Sequence, residues 1–439
     1  MSRTTVCRWL PKDPAAVETF VSDLLVRSRV IHGRNPKTRN LETAISKTNI
    51  ELDVRRLRCH YRITVGRGAS LYLQEFQDYI EKEGVVYAAF NEMFEQAPPP
   101  QNEDQEKIED YVDLMEMIDT NLTTAPSFGE GVSAMVAAVP YYGIISRFCN
   151  TPAGYNAFTH PGVNERFCRV FTKWHEYLTS TASTNVIHDG EGGWLSTAAL
   201  NAMVQSAGGT PGQDTFENFY ICDTSDPHYG FKSYDELFVR ELRAVHRAVV
   251  YPDNPAIINS ACSSTVHQRT ILLTHSVGGT LIQAMLGSLD YHGWRSPVNG
   301  TVVKTRLISG ATHPNPPPTY YAACLDDDNT DLDVISRSQD FVSNVSTRAL
   351  IFIQAEEPVG LMCFVGVGLG EVSTYNVVVK EGQELKKGDE LGQFHFGGST
   401  HCLIFQPSLT VTKIDQDGKD LEGSKVRVGK DILTVTKQN

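Results

Sequence analysis

The stretch EGQELKKGDELGQFHFGGST, residues 381–400, reads as short strands broken at turn positions. Gly382 and Gly388 supply turns, and Lys386–Lys387–Gly388–Asp389 forms a polar hairpin tip. Gly397–Gly398 lets the backbone bend sharply, which predicts Ser399 at an exposed corner. The same texture extends on both sides. ALIFIQA (349–355), VGLMCFVGVG (359–368) and YNVVVK (375–380) precede it, while LTVTKI (409–414) and KVRVGKDILTVT (425–436) follow. All are β-rich runs separated by Gly, Pro and charged turns, so the C-terminal half is expected to be mostly β.

Upstream the period changes. Leu73, Phe76 and Ile80, then Val86, Phe90 and Phe94, recur at helical spacing with Gly84 as an interruption. The run APPPQNEDQ (97–105) cannot continue a helix and reads as a linker. A second helix is expected from about Glu106 to Asn121, with Ile108, Tyr111, Met115 and Ile118 on one face. A third runs from about Asn164 to Ser180, its stripe of Phe167, Phe171, Trp174 and Leu178 read as core packing. The fold class is therefore α+β, a helical N-terminal part followed by a mostly β part. The expected division is an irregular segment 1–70 (with one short helix over 14–30), a helical domain 71–210 and a C-terminal domain 220–439, the boundary falling within 205–235.

Composition excludes several classes. With 439 residues, 41% hydrophobic and 21% charged, the chain is ordinary globular material. A net charge of −13 makes it a poor partner for nucleic acid or an anionic membrane. The basic stretch Arg55, Arg56, Arg58, Arg62, Arg67 has no interleaved aromatic residues and reads as a solvated segment. Nine scattered cysteines never form CxxC, which argues against a zinc ribbon or a disulfide framework, and no metal site is expected. The start lacks the apolar core of a signal peptide, and no run reaches ~20 apolar residues; the nearest, 131–145, contains Pro140. The expectation is a cytoplasmic protein, in which the Asn-x-Ser/Thr matches at Asn121, Asn299 and Asn344 are incidental. The acidic run DDDNTDLD (326–333) lacks the Gly and terminal Glu of a calcium loop.

Four segments, taken in order, resemble the phosphatidylserine decarboxylase family. Its members carry a K-G-x-E-L-G-x-F-x-x-G-S-T run, matched here by Lys387 to Phe394 and Gly397–Gly398–Ser399–Thr400. YGFKSYDELFVRELR (229–243) looks like the entry motif, with Phe238, Arg240 and Leu242 at its core. YHGWRSPVNGTV (291–302) resembles the Tyr-His-Arg-x-His-x-Pro-x-Asn/Asp-Gly segment, and VGLMCFVGVGLGEVST (359–374) the Gly-rich strand pair. The helical half, including GGWLSTAALNAMV (192–204), is similar to the extension of soluble fungal members that decarboxylate tryptophan.

The resemblance implies a self-derived pyruvoyl cofactor. The hydroxyl of Ser399 attacks the carbonyl of Gly398, the chain is cut there, and a keto group that accepts the substrate amine is left at position 399, in the manner of pyridoxal chemistry. The fragment 399–439 then stays bound to the rest by strand pairing. His292, the first histidine of its motif, is implied to lie near the substrate carboxylate. The self-processing Asp and His of the family are replaced. The Asp segment S-P-x-D-G aligns with Ser260–Ser264, where Cys262 is read as taking its place, and Arg295 stands at the second histidine. Arginine stays protonated and is no base, so His395 and His401, which flank the serine, join Cys262 and Arg295 as candidate substitutes. The leading expectation is an amino-acid decarboxylase acting on an aromatic substrate such as L-tryptophan, with no nucleic-acid partner and no membrane contact expected. The alternatives are phosphatidylserine decarboxylation in phospholipid synthesis, or an uncut relative with a binding role. A rival motif, ILLTHSVGGTLIQAML (271–286), reads as a strand, a corner at Ser276 and a helical run, much like a hydrolase nucleophile elbow. Thr274 stands where that elbow requires Gly.

Overall fold

A computed structural model describes residues 14–32, 71–97, 107–129, 140–149, 151–267, 279–308, 310, 343–368, 374–396 and 399–438. The linker at 98–105, the basic stretch 55–67, the acidic run 326–333, Ser276 and Gly398 lie outside them. The described part of the N-terminal half is helical. Its elements are α1 (Pro14–Ile31), α2 (Leu71–Lys82), α3 (Gly84–Gln96), α4 (Tyr111–Asn121), α5 (Pro140–Cys149), α6 (Pro152–Thr159), α7 (Pro161–Leu178), α8 (Thr197–Ser206), α9 (Phe216–Phe219) and α10 (Tyr234–Phe238). The short helix expected over 14–30 is α1, which buries Leu24 and Leu25 in the same core as α2 to α7. Ile108 precedes α4, which begins where Asp110 caps the amides of Val112 and Asp113 at 3.0 and 2.9 Å.

The stripe on α7 is core: Phe167, Phe171, Trp174 and Leu178 are all buried. Phe216, Phe219, Tyr220, Phe231, Tyr234, Leu237, Phe238 and Leu242 belong to the same core, and the first described strand begins at Ile257. Tyr291, Phe396 and Val428 from the β half also bury in the helical core. Pro140 opens α5, the rest of the apolar run at 131–139 lies outside the described residues, and no helix of the described residues is long and apolar enough to cross a membrane.

The C-terminal half carries β1 (Ile257–Asn259), β2 (Ser264–His267), β3 (Thr280–Leu286), β4 (Gly293–Arg295), β5 (Gly300–Ile308), β6 (Arg348–Ala355), β7 (Leu361–Gly368), β8 (Thr374–Val377), β9 (Glu384–Leu385), β10 (Glu390–His395), β11 (Ser399–Phe405), β12 (Leu409–Lys413), β13 (Lys425–Val426) and β14 (Asp431–Lys437). Among the described residues, one eight-stranded antiparallel sheet runs in the order β13-β2-β3-β11-β7-β6-β5-β9, joined by two three-stranded sheets, β4-β10-β8 and β1-β14-β12. Trp294 fills the space between sheets, 4.6 Å from the ring of Phe394 and 5.2 Å from that of Phe364. It lies so close over Gly366 that a Cβ there would stand 2.9 Å from the indole, which is why the Gly-rich run on β7 needs its glycine.

Two local readings change. Residues 280–286, helical only in the rival elbow reading, form β3 inside the large sheet, and a strand there removes the helix that a nucleophile elbow requires. The Lys386–Asp389 turn joins β9 in the large sheet to β10 in a small one, so it is not a hairpin tip. Lys387 is buried, its ammonium donating to the carbonyls of Tyr251 at 3.2 Å and Asn254 at 2.7 Å, and burial pulls its pKa to about 8.

Candidate active site

Ser399 opens β11, facing Leu286 of β3 on one side and Gly368 of β7 on the other. It is wholly buried and not at an exposed corner, because β11 is an interior strand of the sheet. Thr400 points the opposite way and anchors the strand, donating to the carbonyl of Ala284 at 3.0 Å and accepting from Gln283 Nε2 at 3.1 Å. The Ser399 hydroxyl has no hydrogen-bond partner among the described residues. A buried hydroxyl left unpaired is destabilising by roughly 1–3 kcal/mol, so its retention here fits a reacting group. Ser399 is therefore compatible with the pyruvoyl precursor implied by its motif.

Phe396, three residues before Ser399, is backbone-strained. Phe396 adopts φ +62°, a left-handed conformation that a bulky side chain enters at a cost of about 1–3 kcal/mol. An aromatic cage holds it there: its ring centroid lies 5.7 Å from Trp174, 6.3 Å from Tyr234 and 5.9 Å from Phe238. Phe238 in turn lies 4.3 Å from the ring of His292, which is fully buried and whose carbonyl accepts from the amide of Phe394 at 3.1 Å. His292 and Phe396 thus share one wall.

His395, the last residue of β10, is the candidate substitute to which the fold gives a partner. Its Nδ1 lies 2.8 Å from Oδ1 of Asp235 in α10, and both residues are nearly buried. A carboxylate only accepts, so Nδ1 carries a proton; in the neutral ring Nε2 is then the acceptor, with Gln393 Nε2 3.4 Å away, the tautomer a general base needs. His175 of α7 stands beside the pair, its ring edge-on to His395 at 5.3 Å. Burial lowers the His175 pKa, with His395 adding to the effect and Asp235 opposing it. Asp235 and His175 were not singled out from the sequence. Asp235 lies in the first turn of a helix capped by Ser233, an ordinary place for an acid, whereas His175 stands four residues after Phe171 and borders the buried stripe.

The other substitutes are occupied differently. Arg295 is clamped by both carboxylate oxygens of Glu241 at 3.1 and 3.0 Å and by the Tyr291 hydroxyl at 2.7 Å, with Glu390 3.6 Å away. Burial alone would lower its pKa, but Tyr291, Glu241 and Glu390 together raise it, so it remains a structural cation. Cys262 is fully buried, and burial, reinforced by Asp290, pushes its thiol pKa well up; it remains protonated. Laid position by position on Ser260–Ser264, the Asp of S-P-x-D-G falls on Ser263, one residue beyond Cys262. Ser263 accepts from the amide of Val428 at 3.3 Å and carries no charge either.

His401 shares the face of Ser399 on β11, about 7 Å along the strand. It stacks on Phe364 at 5.8 Å with Nδ1 unbonded among the described residues. Burial drives its pKa down to about 4, from an ordinary value near 6.5. The folded chain then binds fewer protons than the unfolded chain between these values. Stability is intact above pH 6.5 and falls as pH drops toward 4, by about 3 kcal/mol at most from this group. His401→Phe should flatten that loss: melting temperatures at pH 7 and pH 5 should differ less in the variant than in the parent.

Family profiles described as phosphatidylserine decarboxylase match residues 70–203 and 234–434. The decarboxylase iboD of Amanita muscaria is 35% identical over 62% of this chain and 85% of its own length. The L-tryptophan decarboxylase of Psilocybe cubensis is 32% identical over 75% of this chain and 79% of its own, and that of Psilocybe cyanescens 31% over 83% and 86%. With the interior strand that begins at Ser399 and relatives matched along most of both chains, the protein belongs to the phosphatidylserine decarboxylase family and is a carboxy-lyase.

Proposed function

We propose that this chain is a pyruvoyl-dependent decarboxylase of a free aromatic amino acid, L-tryptophan foremost, and that it makes its own cofactor at Ser399 with Asp235–His395 as the activating pair. The observation that carries this reading is the buried Asp235–His395 contact four residues before an unbonded serine hydroxyl. His395 Nε2 takes the hydroxyl proton as Oγ bonds to the Gly398 carbonyl carbon. The same proton goes to the leaving amide nitrogen as the peptide C–N bond breaks, giving an ester. Loss of the Ser399 α-proton expels Gly398 as a carboxylate, and water replaces the nitrogen, releasing ammonia and leaving a keto group.

When present, that group supplies the electron sink for the pair freed as CO2 departs. The buried wall of Phe238, Phe396 and His292 would exclude water beside it, and His292 would hold or return a proton at the substrate carbon. The aromatic substrate is favoured by the two Psilocybe tryptophan decarboxylases, whose likeness extends well into the helical half. The fragment 399–439 stays docked after cutting, since β11 pairs over seven residues with both β3 and β7 while β13 and β14 pair with β2 and β1.

A denaturing intact-mass spectrum tests the cofactor. Two chains divided between Gly398 and Ser399, the smaller blocked by a pyruvoyl group and co-eluting with the larger under native conditions, are expected. A single species near 48.6 kDa would overturn the reading. CO2 release from tryptophan against phosphatidylserine then tests the substrate, and activity on the lipid alone would overturn the aromatic choice.

A further inference from the structure

The side chains of His175, Asp235 and His395 converge from three separate elements, α7, α10 and the end of β10. One donor atom from each lies within 4.8 Å of the others. Two imidazoles and one carboxylate suit a borderline divalent cation, whereas magnesium and calcium prefer all-oxygen sets. Asp235 and His395 are each only 8% exposed, and His175 Nδ1 is a buried ring nitrogen with no hydrogen-bond partner among the described residues. The rings are fixed from outside by Phe396, 5.4 Å from His175 and 6.0 Å from His395.

We infer that His175, Asp235 and His395 form a binding site for one divalent transition cation, zinc in the first instance, with a fourth position open to water. Tetrahedral zinc with bonds of about 2.0–2.1 Å sets donors about 3.3 Å apart, so side-chain rotation alone closes the site. The cation would take the donors that hold His395 ready as a base. Its consequence, a metal that keeps the chain uncut, rests on the proposed role of His395; the site itself does not.

Zinc affinity is therefore measured on Ser399→Ala, which cannot be cut, by competition with a chromogenic chelator. One zinc per chain is expected, with binding weakened at least about tenfold in Ser399→Ala carrying either His175→Gln or Asp235→Asn. Circular dichroism confirms that each variant is folded, and a cobalt spectrum of four-coordinate form provides a second readout on the parent. Undiminished zinc binding in folded His175→Gln would overturn the site. In the cuttable chain, zinc should slow fragment formation at least tenfold relative to chelator-treated protein, and equal rates would overturn the regulatory consequence. Failure to cut under both conditions would count against the self-processing reading, while the affinities still decide the site.

Discussion

Substituting His395→Ala should slow cutting between Gly398 and Ser399 by about 10²–10⁴-fold, the range a positioned general base contributes, while Ser399→Ala should abolish it. His395 Nδ1 is 2.8 Å from a nearly buried carboxylate, which orients the ring and, in its neutral form, leaves Nε2 as the acceptor for the hydroxyl proton in the proposed step. Asp235→Asn should be almost as damaging, because a carboxamide can donate to Nδ1 and so leave the ring proton on Nε2. Arg295→Met should leave the rate within a few-fold, since that guanidinium is engaged by Glu241 and Tyr291. The check is a time course of the two fragments on a denaturing gel from freshly translated chain. An unchanged rate in His395→Ala would remove Asp235–His395 from the mechanism.

Trp174→Ala should destabilise the fold by about 3–5 kcal/mol, the usual range for deleting a buried indole. Trp174 is fully buried, stands 5.0 Å from Tyr141 and 5.7 Å from Phe396, and donates from Nε1 to the carbonyl of Thr124 at 2.9 Å. The substitution would open a cavity, orphan that carbonyl and loosen the cage that holds Phe396 in its left-handed conformation. Trp174→Phe should recover much of the packing. Guanidinium unfolding midpoints measure the loss, and a change below about 1 kcal/mol would mean that Trp174 is not part of the joint between the two halves. A slower self-cutting rate in the same variant is expected, because Phe396, three residues before Ser399, would lose its packing.

Much of the architecture was legible because periodicity is a local property. The spacing of Leu73, Phe76 and Ile80 and the stripe on α7 specify helices from within one segment, and the runs at 349–355 and 359–368 specify strands likewise. Errors arose where burial depends on distant chain. The glycines before Ser399 suggested an exposed corner, yet β3 and β7 close over it from about 113 residues upstream and about 31. Lys387 read as solvated because nothing nearby reveals that the carbonyls of Tyr251 and Asn254 receive it. Residues 280–286 alternate too weakly to separate a buried strand from a helix, and only pairing with β2 and β11 decides between them.

The site divides along the same line. The order of its motifs, the serine after two glycines and the family they indicate were determined by the sequence alone, because those residues are contiguous along the chain. Which of the candidate histidines has a carboxylate partner was decided only by the tertiary structure. Asp235, 160 residues before His395, becomes its partner solely because α10 packs in the helical core against the end of β10. Hydrogen bonds and cation sites depend on distances of a few ångströms between side chains, and a linear order of residues carries no such distance until the chain has folded.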